Sequence, residues 1–209
     1  PVGSAAALIY GVFPERPPAA PVLPLTRWSS SIGTVFSRSG WQEGDSLFVL
    51  TMEPPGQHHT HPDKGSFTFY ARGQIFAADS GVTYFEPRHH NTILIDGKGQ
   101  APGQGLTDAV VRTHLSSGLA DLTHMDVKPA YDARIAYTET DGPAEWSLLR
   151  PGRGLPLRWE PYLPVVRADR WAVYVRSSAG AYVVIADDIQ QDEREHTYAW
   201  LLHSCPPGE

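Results

Sequence analysis

Short segments of alternating apolar and polar residues are the main pattern in this chain. Ser66–Ala71 alternates small or polar residues with aromatic ones, which is the period-two pattern of a half-buried strand. Gly73 then permits a tight turn, and Gln74–Asp79 returns as the second strand of a hairpin. Further strands are predicted over residues 34–38, 46–52, 91–96, 171–176, 181–186 and 197–203.

Helical patterns are confined to the beginning of the chain. Ala5–Tyr10 is the best helical stretch, with Gly11 as its stop, and Pro14–Pro24 is rich in proline and is typical of a linker. No segment of convincing helical period follows Pro24. We therefore predict the end of a helix and a linker over residues 1–25, and an antiparallel sandwich or barrel-like fold over residues 26–209.

Composition narrows the possible functions. The chain has 209 residues, a net charge of −6 and 41% hydrophobic residues, which suits one large β domain. The acidity and the absence of a basic run argue against a nucleic-acid partner, and no apolar stretch reaches the roughly 18 residues of a membrane span. Cys205 is the single cysteine, so the chain forms no internal disulfide. Because it begins with Pro1 rather than Met, we expect a mature, processed or truncated piece.

Histidines cluster in one part of the sequence. Five of the nine fall between residues 58 and 90: His58, His59, His61, His89 and His90. In an extended segment, His59 and His61 would point to the same face with Cβ atoms roughly 6–7 Å apart. The predicted hairpin returns Asp79 toward them. Two histidines and one carboxylate suit zinc, and they also suit non-haem iron.

Four separate stretches, in this order, resemble the heparinase II/III family of polysaccharide lyases. That family has a His-x-His-x-Asp stretch, a following strand, an Asp-x-Gly turn and a His-Asn pair. The matching pieces here are 59–67, Gly73, 79–81 and 90–92. Residues 33–39 upstream, and residues 182–187 with His196 and 200–203 downstream, resemble further parts of the family.

The resemblance implies a fold and a set of site residues. It implies an all-β, antiparallel multi-stranded β-sandwich of the supersandwich kind, in this chain a partial one, behind an N-terminal (α/α) toroid whose last helix would end at Ala5–Tyr10. It assigns a structural zinc ion to His61, Asp79 and His90. His59 would lie at the catalytic cleft, and Asn91 would orient the neighbouring ligand. A shift of one position would exchange His90 with His89.

The resemblance also implies the chemistry. Such enzymes cleave uronate-containing glycans by β-elimination, and His59 could act as a base or help to neutralise the substrate. The partner would be an acidic polysaccharide, either alginate-like or glycosaminoglycan-like, and the location periplasmic or secreted rather than cytoplasmic. In the family the tyrosine acid/base belongs to the toroid, which we expect this chain to lack. The isolated chain is therefore expected to be inactive unless another segment supplies the toroid's half of the active site.

Two alternatives remain at this stage. A cupin-type metal oxidoreductase would also place a His-x-His pair before a glycine, but the glutamate of that motif is expected near Gly65 or Ser66, and neither is acidic. A zinc-stabilised carbohydrate-binding or scaffold domain would need no catalytic tyrosine. Six tryptophans could stack on sugars in such a domain: Trp28, Trp41, Trp146, Trp159, Trp171 and Trp200.

Overall fold

A computed structural model of the chain describes residues 23–56, 60–81, 84–102, 107–138, 142–143 and 157–205. The predicted helix at Ala5–Tyr10, most of the proline-rich segment, and both His58 and His59 lie outside these residues. The predicted boundary near residue 25 therefore stays a prediction.

The first part of the chain forms a five-stranded antiparallel sheet in which each strand pairs with the next. Its strands are β1 (Thr26–Ser29), β2 (Thr34–Arg38), β3 (Leu47–Thr51), β4 (Phe67–Ala71) and β5 (Gln74–Ala77). The predicted hairpin is confirmed, because β4 and β5 pair across Arg72 and Gly73. Both turn residues have positive φ angles, 52° and 75°, as a two-residue hairpin turn of type I′ requires.

A second antiparallel sheet comes from the later part of the chain, with strand order β13-β12-β8-β7. Its strands are β7 (Val110–Ser116), β8 (Ala120–Asp126), β12 (Arg167–Val175) and β13 (Tyr182–Gln190). The short β6 (Ile93–Ile95) pairs with β14 (Tyr198–Trp200), and β9 (Arg134–Thr138) lies between β10 (Gly142–Pro143) and β11 (Leu157–Pro161). A 3-10 helix spans Pro87–His89, and helix α1 spans Lys128–Asp132.

The core lies between the two large sheets. Phe48 and Leu50 of β3 and Met125 of β8 are buried in one cluster with Tyr174 of β12. The rings of Phe48 and Tyr174 stack with centroids 6.2 Å apart, and the Tyr174 hydroxyl lies 2.6 Å from Ser46 Oγ. Side chains from both sheets thus share one interior, which confirms the predicted all-β, antiparallel, sandwich-like fold.

The segment Thr34–Arg38 was predicted with the bounds of β2, and each of the other predicted strands overlaps an observed one. Strands β1, β7 and β8, and the β9–β11 sheet, were not predicted. Among the described residues, helix α1 has only five residues, and no helix is long and apolar enough to span a membrane.

Candidate metal centre

Two loops meet at one end of the strands of the five-stranded sheet. The loop between β3 and β4 folds back on the end of β3, where the Gly65 amide donates to the Thr51 carbonyl at 2.8 Å and the Thr51 amide donates to the Ser66 carbonyl at 2.9 Å. This loop carries His61. The segment between β5 and β6 carries His90, which directly follows the 3-10 helix. The β-hairpin thus brings residues 29 positions apart into one place.

Three buried side chains in these loops could hold a metal ion. One donor atom from each of His61, Asp63 and His90 lies within 4.8 Å of the other two. The imidazole rings of His61 and His90 have centroids 5.1 Å apart. Two neutral imidazoles and one carboxylate form a donor set that zinc commonly takes.

His90 has one imidazole nitrogen without a partner in the part of the chain that the structure describes. Its side chain has no exposed surface, and its Nδ1 lies 2.9 Å from Asp79 Oδ2. Among the described residues, its buried Nε2 has no hydrogen-bond partner. When Asp79 accepts a hydrogen bond from Nδ1, Nε2 carries a free lone pair, which is the state of a histidine that ligates a metal. The residues present therefore fit a metal ion.

The protonation of the cluster also suits a cation. Burial and the neighbouring His90 lower the pKa of His61, so its imidazole is neutral and able to ligate at neutral pH. Burial would raise the pKa of Asp79, but hydrogen bonds from His90 and from the Gly81 amide outweigh it and bring the pKa below its ordinary value.

An open cleft of about 230 Å³ lies against the cluster. It is lined by Thr51, Glu53, Ser66, Phe67, Thr68 and Gly81, together with His61, Asp63 and Asp79. Burial and the negative charges of Asp63 and Asp79 raise the pKa of Glu53. Three carboxyl groups thus line one cleft, and a bound cation would offset their repulsion of an acidic ligand.

Asn91 ties three parts of the chain together around His90. Its Nδ2 donates to the carbonyls of Phe67 (2.7 Å) and Ala78 (2.9 Å), and its Oδ1 accepts from the His203 amide at 2.7 Å. The side chain is fully buried, so these hydrogen bonds form in a water-poor environment. They fix the backbone that carries His90.

Arg170, on β12 of the opposite sheet, reaches both loops. Its Nη1 donates to the carbonyls of Gly65 (2.6 Å) and Asn91 (2.8 Å). Its Nε and Nη2 donate to Asp187 at 2.6 and 3.1 Å, and Trp200 Nε1 donates to the same carboxylate at 2.9 Å. This buried group links the sandwich core to the two loops of the candidate centre.

Lys64 adds a second buried cation beside the cluster. Its side chain has no exposed surface, and Nζ lies 3.0 Å from the His61 carbonyl and 3.4 Å from Asp63 Oδ1. Its backbone is held by Gln100, whose side chain both accepts from the Lys64 amide and donates to the Lys64 carbonyl. The ammonium group offers a positive charge that compensates the buried Asp63 carboxylate.

The structure brings together four of the residues singled out in the sequence: His61, Asp79, His90 and Asn91. His59 and His58 lie outside the described residues. Of the two adjacent histidines, His90 is the buried member of the cluster, whereas the ring of His89 lies against Tyr84 with centroids 4.9 Å apart.

Asp63, Lys64, Arg170 and Asp187 were not selected as site residues from the sequence. Asp63 had a signal, because it is the aspartate of the His-x-His-x-Asp stretch. Arg170 had none, since its contacts depend on how the two sheets pack.

The family of the chain follows from a match to residues 30–149. These residues match the family described as heparinase II/III-like, C-terminal. This chain belongs to that family. The predicted resemblance is thereby confirmed, and the heparinase-like domain covers more than half of the chain.

One curated relative of this heparinase II/III-like chain is the heparin-sulfate lyase of Pedobacter heparinus. The two are 31% identical over 88 residues, which is 35% of this chain and 13% of the relative.

Solved structures of heparinases share the fold. The heparan sulfate lyase HepC from Pedobacter heparinus has a TM-score of 0.56 at 20% identity, over 81% of this chain and 22% of that one. A crystal structure of heparinase III has a TM-score of 0.59 at 16% identity, over 88% of this chain and 25% of that one. The heparinase II/III-like chain thus spans a quarter or less of these relatives.

Proposed function

We propose that this chain is the β-domain part of a polysaccharide lyase that cleaves uronate-containing glycans by β-elimination, with a structural zinc ion at the loops. The observation that carries the proposal is the buried group of His61, Asp63 and His90 beside an open cleft, in a chain of the heparinase II/III-like family. The relatives are named as heparin-sulfate and heparan sulfate lyases, so a glycosaminoglycan is the first substrate class to test and alginate the second. The periplasmic or secreted location stays a prediction.

Zinc would be held by His61, His90 and a carboxylate. Asp79 is the ligand predicted from the sequence, and Asp63 is a second candidate because its carboxylate lies within 4.8 Å of both imidazoles. When bound, zinc would fix the loops and neutralise the carboxylates of the cleft rather than activate water. The Nε2 of His90, which has no partner among the described residues, supports this role.

His59 is the proposed catalytic residue of this chain, and it precedes His61 by two positions. Anchoring His61 would limit the positions that His59 can take. In β-elimination a base takes the proton next to the uronate carboxylate, the bond from the neighbouring carbon to the glycosidic oxygen breaks, and an acid protonates that oxygen. A histidine near neutral pKa can serve as the base or hold the carboxylate. The tyrosine acid/base is expected from an (α/α) toroid.

Lyase activity is tested on the natural full-length protein, with heparan sulfate, hyaluronan and alginate as substrates and the absorbance of unsaturated uronate as the readout. His59→Ala should remove most of the activity, about a hundredfold or more for a general base. His58→Ala is the matched control and should retain it. A full-length protein that binds these glycans without forming unsaturated product would instead be a carbohydrate-binding or scaffold protein.

Metal content is tested separately from activity. Purified protein is expected to contain zinc by elemental analysis, and a chelator should lower its melting temperature, since an ion that binds only the folded state stabilises it. His61→Ala should lose the metal, whereas His114→Ala, in the second sheet, should keep it. Zinc-free protein with an unchanged melting temperature in His61→Ala would refute the metal centre.

The two carboxylates are separated by paired substitutions. If Asp79 is the ligand, Asp79→Asn loses zinc and Asp63→Asn keeps it. If Asp79 instead orients His90 through Nδ1, Asp63→Asn loses the metal and Asp79→Asn weakens binding about 10- to 100-fold, as substitutions of such supporting partners do. Zinc affinity by chelator competition measures both.

A further inference from the structure

We propose that a second cleft on the five-stranded sheet, the arginine cleft, binds an acidic sugar unit of a glycan. The arginine cleft has a volume of about 250 Å³ and is lined by Leu23, Pro24, Leu25, Arg27, Phe36, Arg38 and Trp41. The proposal rests on the proposed function only for the class of ligand, an acidic polysaccharide.

The arginine cleft and the candidate metal centre open on the same face of the sheet. Phe36 and Arg38 alternate with the buried Val35 and Ser37, so they point away from the core. Arg27 is opposite Phe36 on β1 and shares this outer face.

The two sites lie at opposite ends of that face. At the far end of β2, Thr34 pairs with Thr51, which lines the cleft of the metal centre. From Thr34 to Arg38 the strand rises about 13 Å, at about 3.3 Å per residue. An oligosaccharide, unlike a single sugar, could span that distance.

The charges of the arginine cleft are not balanced by other described residues. The guanidinium groups of Arg27 and Arg38 form no hydrogen bond or salt bridge within the part of the chain that the structure describes. The other arginines with described side chains each have a partner: Arg72, Arg88, Arg112, Arg134, Arg167, Arg170, Arg176 and Arg194. In a chain of net charge −6, two neighbouring cations without a partner among the described residues favour an anionic ligand.

Trp41 supplies a stacking surface beside these charges. The ring is 49% exposed, and its Nε1 donates to the Leu23 carbonyl at 3.2 Å, which fixes the orientation of the indole. The Arg38 guanidinium lies over the ring, 4.4 Å from its centroid. An aromatic face for a pyranose and guanidinium groups for a carboxylate or sulfate together match one acidic sugar unit.

The contrast between the two clefts explains why a distal site would be needed. Glu53, Asp63 and Asp79 make the metal-side cleft acidic, so it attracts a polyanion poorly without its cation. The arginine cleft has a positive electrostatic potential, from Arg27 and Arg38, on the same face of the sheet. A glycan held there would be retained while another of its units occupies the cleft at the metal centre.

The test uses NMR of the full chain titrated with oligosaccharides from heparan sulfate, from hyaluronan, which has carboxylates but no sulfates, and from neutral cellulose. The reporter is the Trp41 indole N–H resonance, assigned as the one that disappears in Trp41→Phe. Acidic oligosaccharides should shift this resonance and the neutral one should not. Shifts with both acidic probes identify the carboxylate as sufficient, whereas a shift with heparan sulfate alone identifies the sulfate.

Paired arginine variants separate a site from general attraction. Arg27→Gln/Arg38→Gln should weaken binding about tenfold or more, because two charge-assisted contacts are lost. Arg112→Gln/Arg167→Gln removes the same charge from the second sheet, where both side chains are exposed, and should change affinity by less than about twofold. Equal losses in the two double variants, or no shift of the Trp41 resonance, would overturn the proposal.

The outcome is independent of catalysis and of metal. Binding at Trp41 of this chain, together with no lyase activity of the natural full-length protein, would leave this inference standing and refute the proposed function. Lyase activity of the natural full-length protein with an unchanged Trp41 resonance would support the proposed function and refute the glycan site in the arginine cleft.

Discussion

Replacing Arg170 by methionine should destabilise the protein strongly. Methionine keeps the unbranched apolar stem but removes all four hydrogen bonds that the guanidinium donates, two to Asp187 and two to the carbonyls of Gly65 and Asn91. The Asp187 side chain is only 12% exposed, and Trp200 Nε1 would be its one remaining side-chain donor among the described residues. The substitution therefore leaves a carboxylate and two carbonyls in the interior without their main partner.

The expected loss is about 3–5 kcal/mol, the usual cost of removing one partner from a buried ion pair. For a chain of this size that corresponds to a fall in melting temperature of about 6–20 °C. Arg170→Met/Asp187→Leu should recover the part of this loss that comes from the stranded carboxylate, but not the part that comes from the two unsatisfied carbonyls. Arg170→Lys, which keeps the charge without the bidentate geometry, should fall between the parent and the methionine variant.

Urea denaturation followed by tryptophan fluorescence measures these free energies of unfolding. Arg167→Met is the matched control, because Arg167 is on the same strand but pairs with Asp188 at the surface, and it should cost less than about 1 kcal/mol. An Arg170→Met variant within about 1 kcal/mol of the parent would refute the reasoning. A parent-like stability of the double variant would show that the carbonyl contacts contribute nothing.

Two further predictions concern a turn and a pH-dependent loop. Gly33→Ala should destabilise the protein by about 2 kcal/mol or more, because φ is +62° and the added Cβ would lie 2.0 Å from the Met52 carbonyl oxygen. Gly44→Ala is the control: its φ is +88° but nothing lies within 4 Å of the added Cβ, so only the backbone strain of about 1 kcal/mol is expected. Similar melting temperatures for the two variants would contradict this prediction. Hydrogen bonds to Asp96 (2.6 Å) and Asp192 (2.8 Å) raise the pKa of His196 in the folded protein. The protonated imidazole should therefore contribute fully to the free energy of unfolding below the unfolded pKa of about 6.5, and this contribution should disappear as the pH rises through the higher folded pKa. The difference in melting temperature between the parent and His196→Gln should therefore shrink as the pH rises, and a constant difference would contradict the assignment.

Strands with apolar inner faces could be predicted from the sequence. Strand β3 buries Phe48 and Leu50, and β4 buries Phe67 and Ala71 before the chain reverses at Gly73. Strand β8 was not predicted because its inward-facing positions include Asp121 and Thr123. Asp121 is tolerated there since Arg176 and Thr26 bind its carboxylate, from 55 and 95 positions away. A polar inner face of this kind has the binary pattern of a surface, so periodicity alone cannot identify it.

In the candidate metal centre, too, the features set by local sequence could be predicted and those set by long-range packing could not. The hairpin and the resemblance were enough to bring Asp79 and His90 near His61, because a hairpin returns the chain toward the start of its first strand, even though the register shifts between Phe69 and Tyr70. The hydrogen bonds from Arg170 to the backbone of these loops could not be predicted. Arg170 is 105 positions from Gly65 and 79 from Asn91, and it reaches them only when the two sheets pack.

Because Arg170 links the loops to the sandwich, the two should fold and unfold together. Any ion or glycan that binds the folded loops should raise the stability of the whole sandwich. Loosening the sandwich at Arg170 should, for the same reason, weaken binding at loops that the substitution does not alter in sequence.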